Sequence, residues 1–194
     1  MHSIEEISDM PLEVWKGYRK TILNSYPDYN FEVRLEMMKN FNRIAKEENV
    51  GLYLSGGALL GAVRDNDFIS WDGDVDFDAL VEELEPKIEN IKGKLIDCGY
   101  VTRVIRQYPK LKINSFYMGE KVGVLGMYLN DSSSHRFRSA YEWPKEIYDD
   151  SEEINFKGEI FKTPNKMEYI SHTYGEDWKK PKKHNFFTRG VFRK

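Results

Sequence analysis

The chain has 194 residues, 40% of them hydrophobic and 14% aromatic, with a formal net charge of −3, enough for one substantial core. Its single cysteine, Cys98, excludes an internal disulfide framework and a cysteine-rich zinc site. No apolar run approaches the roughly 20 residues that span a bilayer. Met1-His2-Ser3-Ile4-Glu5-Glu6 lacks the basic-then-apolar pattern of a secretion signal, so a soluble, cytoplasmic protein is expected.

In chain order, residues 11–24 read as a short helix, with Pro11 near its start and Trp15, Tyr18 and Ile22 along one side. Tyr26-Pro27-Asp28-Tyr29-Asn30 is a turn. The clearest helix follows over about 31–48, where Leu35, Met38, Phe41 and Ala45 recur at helical spacing and mark a core face. Residues 51–55 read as a short strand running into Gly56-Gly57, and about 58–64 as a second helix. An acidic strand is expected over 73–78. Leu80, Leu84, Ile88, Ile91, Leu95 and Cys98 then form a helical face, and Pro86 demands a break near Glu85. Gly99 is its expected C-cap, with Tyr100 folding back over the end and Cys98 a buried small hydrophobe.

From 101 to 130 the pattern turns to β: Val101–Ile105, Leu111–Ile113 and Val122–Leu129 predict a meander of antiparallel strands. Asp131-Ser132-Ser133-Ser134 is a loop. Ile154-Asn155-Phe156 and Glu159-Ile160-Phe161 flank Lys157-Gly158 as a hairpin. A last helix is expected over about 165–174, ending at Gly175. With no repeat or internal linker, the expectation is one domain over 1–194, with a helical N-terminal segment 1–30 and a tail 179–194. That tail holds Lys179, Lys180, Lys182, Lys183, Arg189, Arg193 and Lys194 and no acid. It reads as a solvated end or as a contact for phosphate or a membrane surface.

Chemistry concentrates between Leu54 and Asp78. Residues two apart on a strand share a face, so Asp74 and Asp76 project together, with Asp72 before them and Asp78 after. Carboxylates at this density repel unless a cation sits between them, and hard oxygen donors suit Mg²⁺ or Mn²⁺ better than zinc. Gly56-Gly57 at a helix start lets a phosphate approach backbone N–H groups and a positive dipole end. A phosphate holder plus a metal pair is the equipment of phosphoryl transfer. Arg64, at the end of the short helix, is either a bidentate partner for the same phosphate or a surface arginine. Trp71 packs the loop that leads into the acids, or stacks on a base or sugar. Lys110, Lys112, Arg103 and Arg106 either line a groove for an anionic donor or guard a strand edge. Arg136 and Arg138 are solvated loop arginines or contacts for an acidic acceptor. His135 and His172 lack metal-ligand spacing.

Two separated runs carry a resemblance. The first is Gly56-Gly57-Ala58-Leu59-Leu60-Gly61-Ala62-Val63-Arg64, Asp67-Phe68-Ile69 and Trp71-Asp72-Gly73-Asp74-Val75-Asp76. The second is Phe156–Phe161, Pro164, Tyr169-Ile170 and Tyr174-Gly175-Glu176-Asp177-Trp178. Together they resemble the LicD family, which includes fukutin and fukutin-related protein, over roughly residues 34–183. The resemblance implies an α+β, nucleotidyltransferase-like mixed sheet flanked by helices. It further implies Mg²⁺-dependent (or Mn²⁺-dependent) transfer of phosphocholine or a polyol phosphate from a CDP-alcohol donor to a glycan hydroxyl, with no nucleic-acid partner. Asp74 and Asp76 would hold the metal, Asp72 would assist, and Gly56 and Gly57 would contact the donor's phosphates. Many members carry a third metal carboxylate on a later strand. Here that segment reads Val124-Leu125-Gly126-Met127-Tyr128, so a glycine stands at the expected position, with Asp131 and Glu120 as the nearest acids. Two other readings stay open: a nucleotidyltransferase, and a nucleotide-binding module without catalysis.

Overall fold

The computed structural model describes residues 3–26 and 28–182, the side chains of residues 21–24 excepted. Expectations for the Ile22 side chain, Pro27 and residues 183–194 of the basic tail lie outside the described residues.

Local chemistry explains most element boundaries. The helix α1 (Ile4–Ser8), not anticipated, starts at a capping box. Ser3 Oγ accepts the Glu6 N–H, and the Ser3 N–H is donated to Glu6 Oε2 at 2.9 Å. Helix α2 spans Leu12–Asn24 and α3 Phe31–Glu47, the latter capped by Asn30, whose Oδ1 accepts from Val33 N at 3.1 Å. Strand β1 is only Tyr53–Leu54, because α4 (Gly56–Arg64) begins at the first glycine, whose φ of +58° suits a residue without Cβ. Strand β2 is Val75–Leu80. A short α5 (Val81–Leu84) and one 3₁₀ turn at Glu85–Lys87 precede α6 (Ile88–Asp97), so Pro86 breaks the helical face as expected. Gly99, at φ +85°, closes α6, and Tyr100 is buried over its end. Cys98 is only partly buried, within 3.8 Å of an Arg43 amine.

The meander is present as β3 (Val101–Gln107), β4 (Lys110–Tyr117) and β5 (Glu120–Leu129). A hairpin that the sequence did not suggest follows, β6 (His135–Arg138) and β7 (Tyr141–Pro144), then a short α7 (Glu146–Asp149). The expected hairpin is β8 (Glu152–Phe156) and β9 (Glu159–Thr163). It turns through Lys157 and Gly158, both at positive φ, before α8 (Lys166–Tyr174).

The sheet runs β3-β4-β5-β2-β1-β9-β8, with β6 and β7 attached to β5. Pairs β2–β5 and β1–β9 are parallel; the others along that path are antiparallel, so the sheet is mixed. One face packs Phe77, Ile113, Val122 and Val124 beneath Met38, Phe41 and Ile44 of α3 and Ile91 and Leu95 of α6. The opposite face is covered at two places. Trp15 of α2 and Ile7 of α1 pack on Phe116, and Thr102 N, on edge strand β3, donates to Ser8 Oγ. At the other end β6, α7 and α8 bring Arg138, Tyr148 and Tyr169 over the region of Asp78. Register sets Asn114, Gly123 and Asp76 side by side on the face between these covers, with Lys112 opposite Leu125.

Candidate active site

The acids do not all lie on the strand. Asp72 and Asp74 stand in the loop before β2, while Asp76 and Asp78 belong to it. Each acid meets a different surrounding, and these divide the site into three parts.

Asp76 and Asp74 face two lysines. Lys112 Nζ lies 3.4 Å from Asp76 Oδ1, and Lys121 Nζ is ion-paired with Asp74. Burial opposes ionisation of Asp76, but Lys112, Lys121 and Arg138 outweigh it and hold its carboxyl below the usual range. Burial likewise pulls Lys112 down, against the attraction of Asp76. Lys112 thus sits beside Asp76 on the acid-bearing face. For Lys110 and Lys112 the edge-guard alternative fails, since β4 lies inside the sheet between β3 and β5. Arg103 and Arg106 are engaged elsewhere: Arg103 lies over Trp15 and donates to Ser8 O, and Arg106 pairs with Glu89.

Asp72 lies against the Gly-Gly turn. A Cβ placed on Gly57 would stand 1.8 Å from Asp72 Oδ2, so only glycine admits the carboxylate here. Burial, then the charge of Asp74, pushes Asp72 up to about 6. Gly56 does not present its N–H to a ligand, because it donates to Tyr169 Oη at 3.2 Å. The anion that the sequence placed at this turn is in part the protein's own Asp72.

Asp78 lies beneath, fully buried. Tyr148 Oη donates to Oδ2 at 2.8 Å, and Arg138 Nη1 stands 2.9 Å from Oδ1 as an ion pair without aligned hydrogen-bond geometry. Desolvation raises Asp78 despite Arg138, and the guanidinium itself is raised by Asp78 against its burial. Arg138 and Arg136 are therefore not solvated loop residues. They belong to β6, and Arg136 pairs with Glu82 at 2.7 Å.

Four other candidates lie elsewhere in the fold. Arg64 is at the far end of α4, about 10–12 Å along the axis from the glycines at 1.5 Å per residue. It pairs with Asp65 at 2.6 Å and lines a pocket with Leu60, Trp71, Tyr174 and Trp178, away from the turn. Glu120 is no spare metal acid: it is buried against Arg34, Oε2 to Nε 2.5 Å. Asp131 is exposed in the β5–β6 loop. Gly126 is not the position beside the acids, because a Cβ there would meet Leu111 and Val81 on the opposite, apolar side. The β5 residue paired with Asp76 is Gly123.

Lys121, Asn114, Tyr148 and Arg34 went unrecognised in the sequence. Of these only Arg34 left a signal, being four residues before Met38 and three after Phe31 on the apolar stripe of α3. There its Nη1 donates to Asp72 O at 2.9 Å and fixes the loop that carries the acids.

The mixed sheet with a glycine turn beside strand-borne acids defines a nucleotidyltransferase-like fold. Ten chains of solved structures match it. A crystal structure of ANT(2″)-Ia in complex with adenylyl-2″-tobramycin is 14% identical with a TM-score of 0.51, covering 71% of this chain and 72% of that one. A solution structure of ANT(2″)-Ia is 14% identical over 69% of this chain and 65% of that one, with a TM-score of 0.48. No curated protein matches the chain by sequence. Residues 49–166 match the LicD/FKTN/FKRP nucleotidyltransferase domain, and the chain belongs to that family. Family and fold together support a transferase. Among the described residues, no helix is long and apolar enough to cross a membrane.

Proposed function

We propose that this protein transfers a phospho-alcohol, phosphocholine or a polyol phosphate, from a CDP-activated donor to a sugar hydroxyl, with Mg²⁺ or Mn²⁺. The observation that carries the reading is the pairing of Asp74 and Asp76 with Lys121 and Lys112 on the sheet face between the two covers, beside the Asp72–Gly57 contact. Two carboxylates supply hard oxygen donors for a divalent cation. Gly123 leaves room beside them, since a Cβ there would stand 2.5 Å from Asp76 Oδ1. Asp74 and Asp76 would hold the cation, which when bound neutralises phosphate charge and polarises the phosphoryl group.

The chain's own groups then have distinct tasks. Lys112 and Lys121, released from the carboxylates, meet the donor's phosphate oxygens. Asp72 accepts the acceptor's hydroxyl proton. The hydroxyl oxygen bonds to the phosphorus that bears the alcohol, the bond to the CMP oxygen breaks, and CMP departs with that electron pair. Asp78, locked to Arg138 and Tyr148, holds the strand from below.

A second reading, transfer of a nucleoside monophosphate to a hydroxyl, draws on the fold shared with ANT(2″)-Ia, whose structure holds an adenylylated aminoglycoside. A thermal-shift panel separates the two. CDP-choline, CDP-ribitol or CDP-glycerol with Mg²⁺ should raise the melting temperature. Stabilisation by ATP or UTP alone would favour the second reading, and none by any nucleotide would defeat both.

A further inference from the structure

We infer that the third oxygen ligand of the metal site is the side-chain carbonyl of Asn114, in place of the carboxylate that many members of the family carry; this rests on the metal-dependent reading above. Asn114 Oδ1 is buried and has no hydrogen-bond partner among the described residues. A buried acceptor left unmade is unfavourable unless something else satisfies it. Register puts Asn114 opposite Gly123, and Gly123 opposite Asp76, so all three share one face. The space above Gly123 is where the two oxygens converge. Measured from the point a Cβ would occupy, Asp76 Oδ1 lies at 2.5 Å and Asn114 Oδ1 at 3.5 Å.

Chemistry agrees with the geometry. Amide oxygens serve Mg²⁺, Mn²⁺ and Ca²⁺ alongside carboxylates. Among the described residues, no third His, Cys, Asp or Glu joins Asp74 and Asp76 in a metal-binding group, so a carboxylate does not complete the set. The exchange also suits the charge balance. Lys112 and Lys121 already offset Asp74 and Asp76, and a neutral ligand leaves both lysines free for an anionic donor, where a third carboxylate would capture one. The ligand set is two carboxylates and one amide.

Mn²⁺ binding to the full chain, followed by calorimetry and by the spin signal of free Mn²⁺, tests this without any turnover. Asn114→Leu keeps the shape and removes the oxygen. It should weaken Mn²⁺ at least ~10-fold, the scale set by losing a metal-site partner. The metal-free melting temperature should not fall, since an unsatisfied acceptor is replaced by an apolar group. Asn114→Asp should tighten Mn²⁺ relative to the wild type. Wild-type affinity in Asn114→Leu overturns the assignment and leaves the metal-dependent reading standing. Absence of Mn²⁺ binding by the wild type overturns both. Should Asn114→Leu fail to fold, Asn114→Asp decides alone, and no gain in affinity there overturns the assignment.

Discussion

The carboxylate of Asp72 rests on the backbone of Gly57, closer than any side chain at position 57 would allow: a Cβ there would stand 1.8 Å from Oδ2. The contact joins the glycine turn to the acidic loop.

Gly57→Ala leaves the helix content of α4 intact, because alanine is the better helix former by roughly 1 kcal/mol. It expels the Asp72 carboxylate from its place. The expected result is a melting temperature within a few degrees of the wild type and transfer reduced at least tenfold. A melting scan beside a transfer assay checks both. Unchanged transfer would show that the position of Asp72 is immaterial.

Asp76→Asn removes the charge that Lys112, Lys121 and Arg138 share. The side chain keeps its size, so the fold should persist by circular dichroism. Transfer should fall by about 10²-fold or more, in line with a loss of several kcal/mol of charge stabilisation. EDTA should silence the wild type to a similar level and leave the variant's residual rate unaltered.

Arg34 and Glu120 are each 1% exposed and meet at 2.5 Å. Removing one partner strands a buried charge, which costs about 3–5 kcal/mol. Glu120→Gln should therefore lower the denaturation midpoint severely. The double change Arg34→Met with Glu120→Leu should recover much of that loss, while Asp72, deprived of the Arg34 Nη1 contact to its carbonyl, loosens. A double-mutant cycle in urea measures the coupling; additivity would refute it.

Tyr148→Phe deletes a 2.8 Å hydrogen bond to the buried Asp78 carboxylate and nothing else of size. A hydrogen bond to a charged, buried acceptor is worth about 1.5–3 kcal/mol. Stability should drop by that amount. Mn²⁺ affinity should not change, since Asp78 lies below the metal pair.

Much of the architecture was legible along the chain. Helical periodicity placed α3 and α6, Pro86 gave the break, Gly99 the cap, and Lys157-Gly158 the hairpin, because each depends on neighbours in sequence. The glycine run, the acids and the closing segment together gave the family, and the match over residues 49–166, which takes in the first two and the start of the third, bears the family out. What was missed depends on strands meeting at a distance. Nothing local marks Arg138 as the partner of Asp78, 60 residues earlier, or raises Lys121 above any other surface lysine.

By itself, then, the sequence determined most of the elements, the family, and the segment in which the acids gather. Local propensity and short motifs suffice for these. Only the tertiary structure decided what each acid touches: lysines for Asp74 and Asp76, glycine backbone for Asp72, a buried arginine for Asp78. It also placed Gly123, and not Gly126, beside Asp76. The physical reason is register. Side chains alternate along a strand, so the parallel pairing of β2 with β5 settles which β5 residues share a face with Asp76, and no local pattern in either strand specifies that pairing.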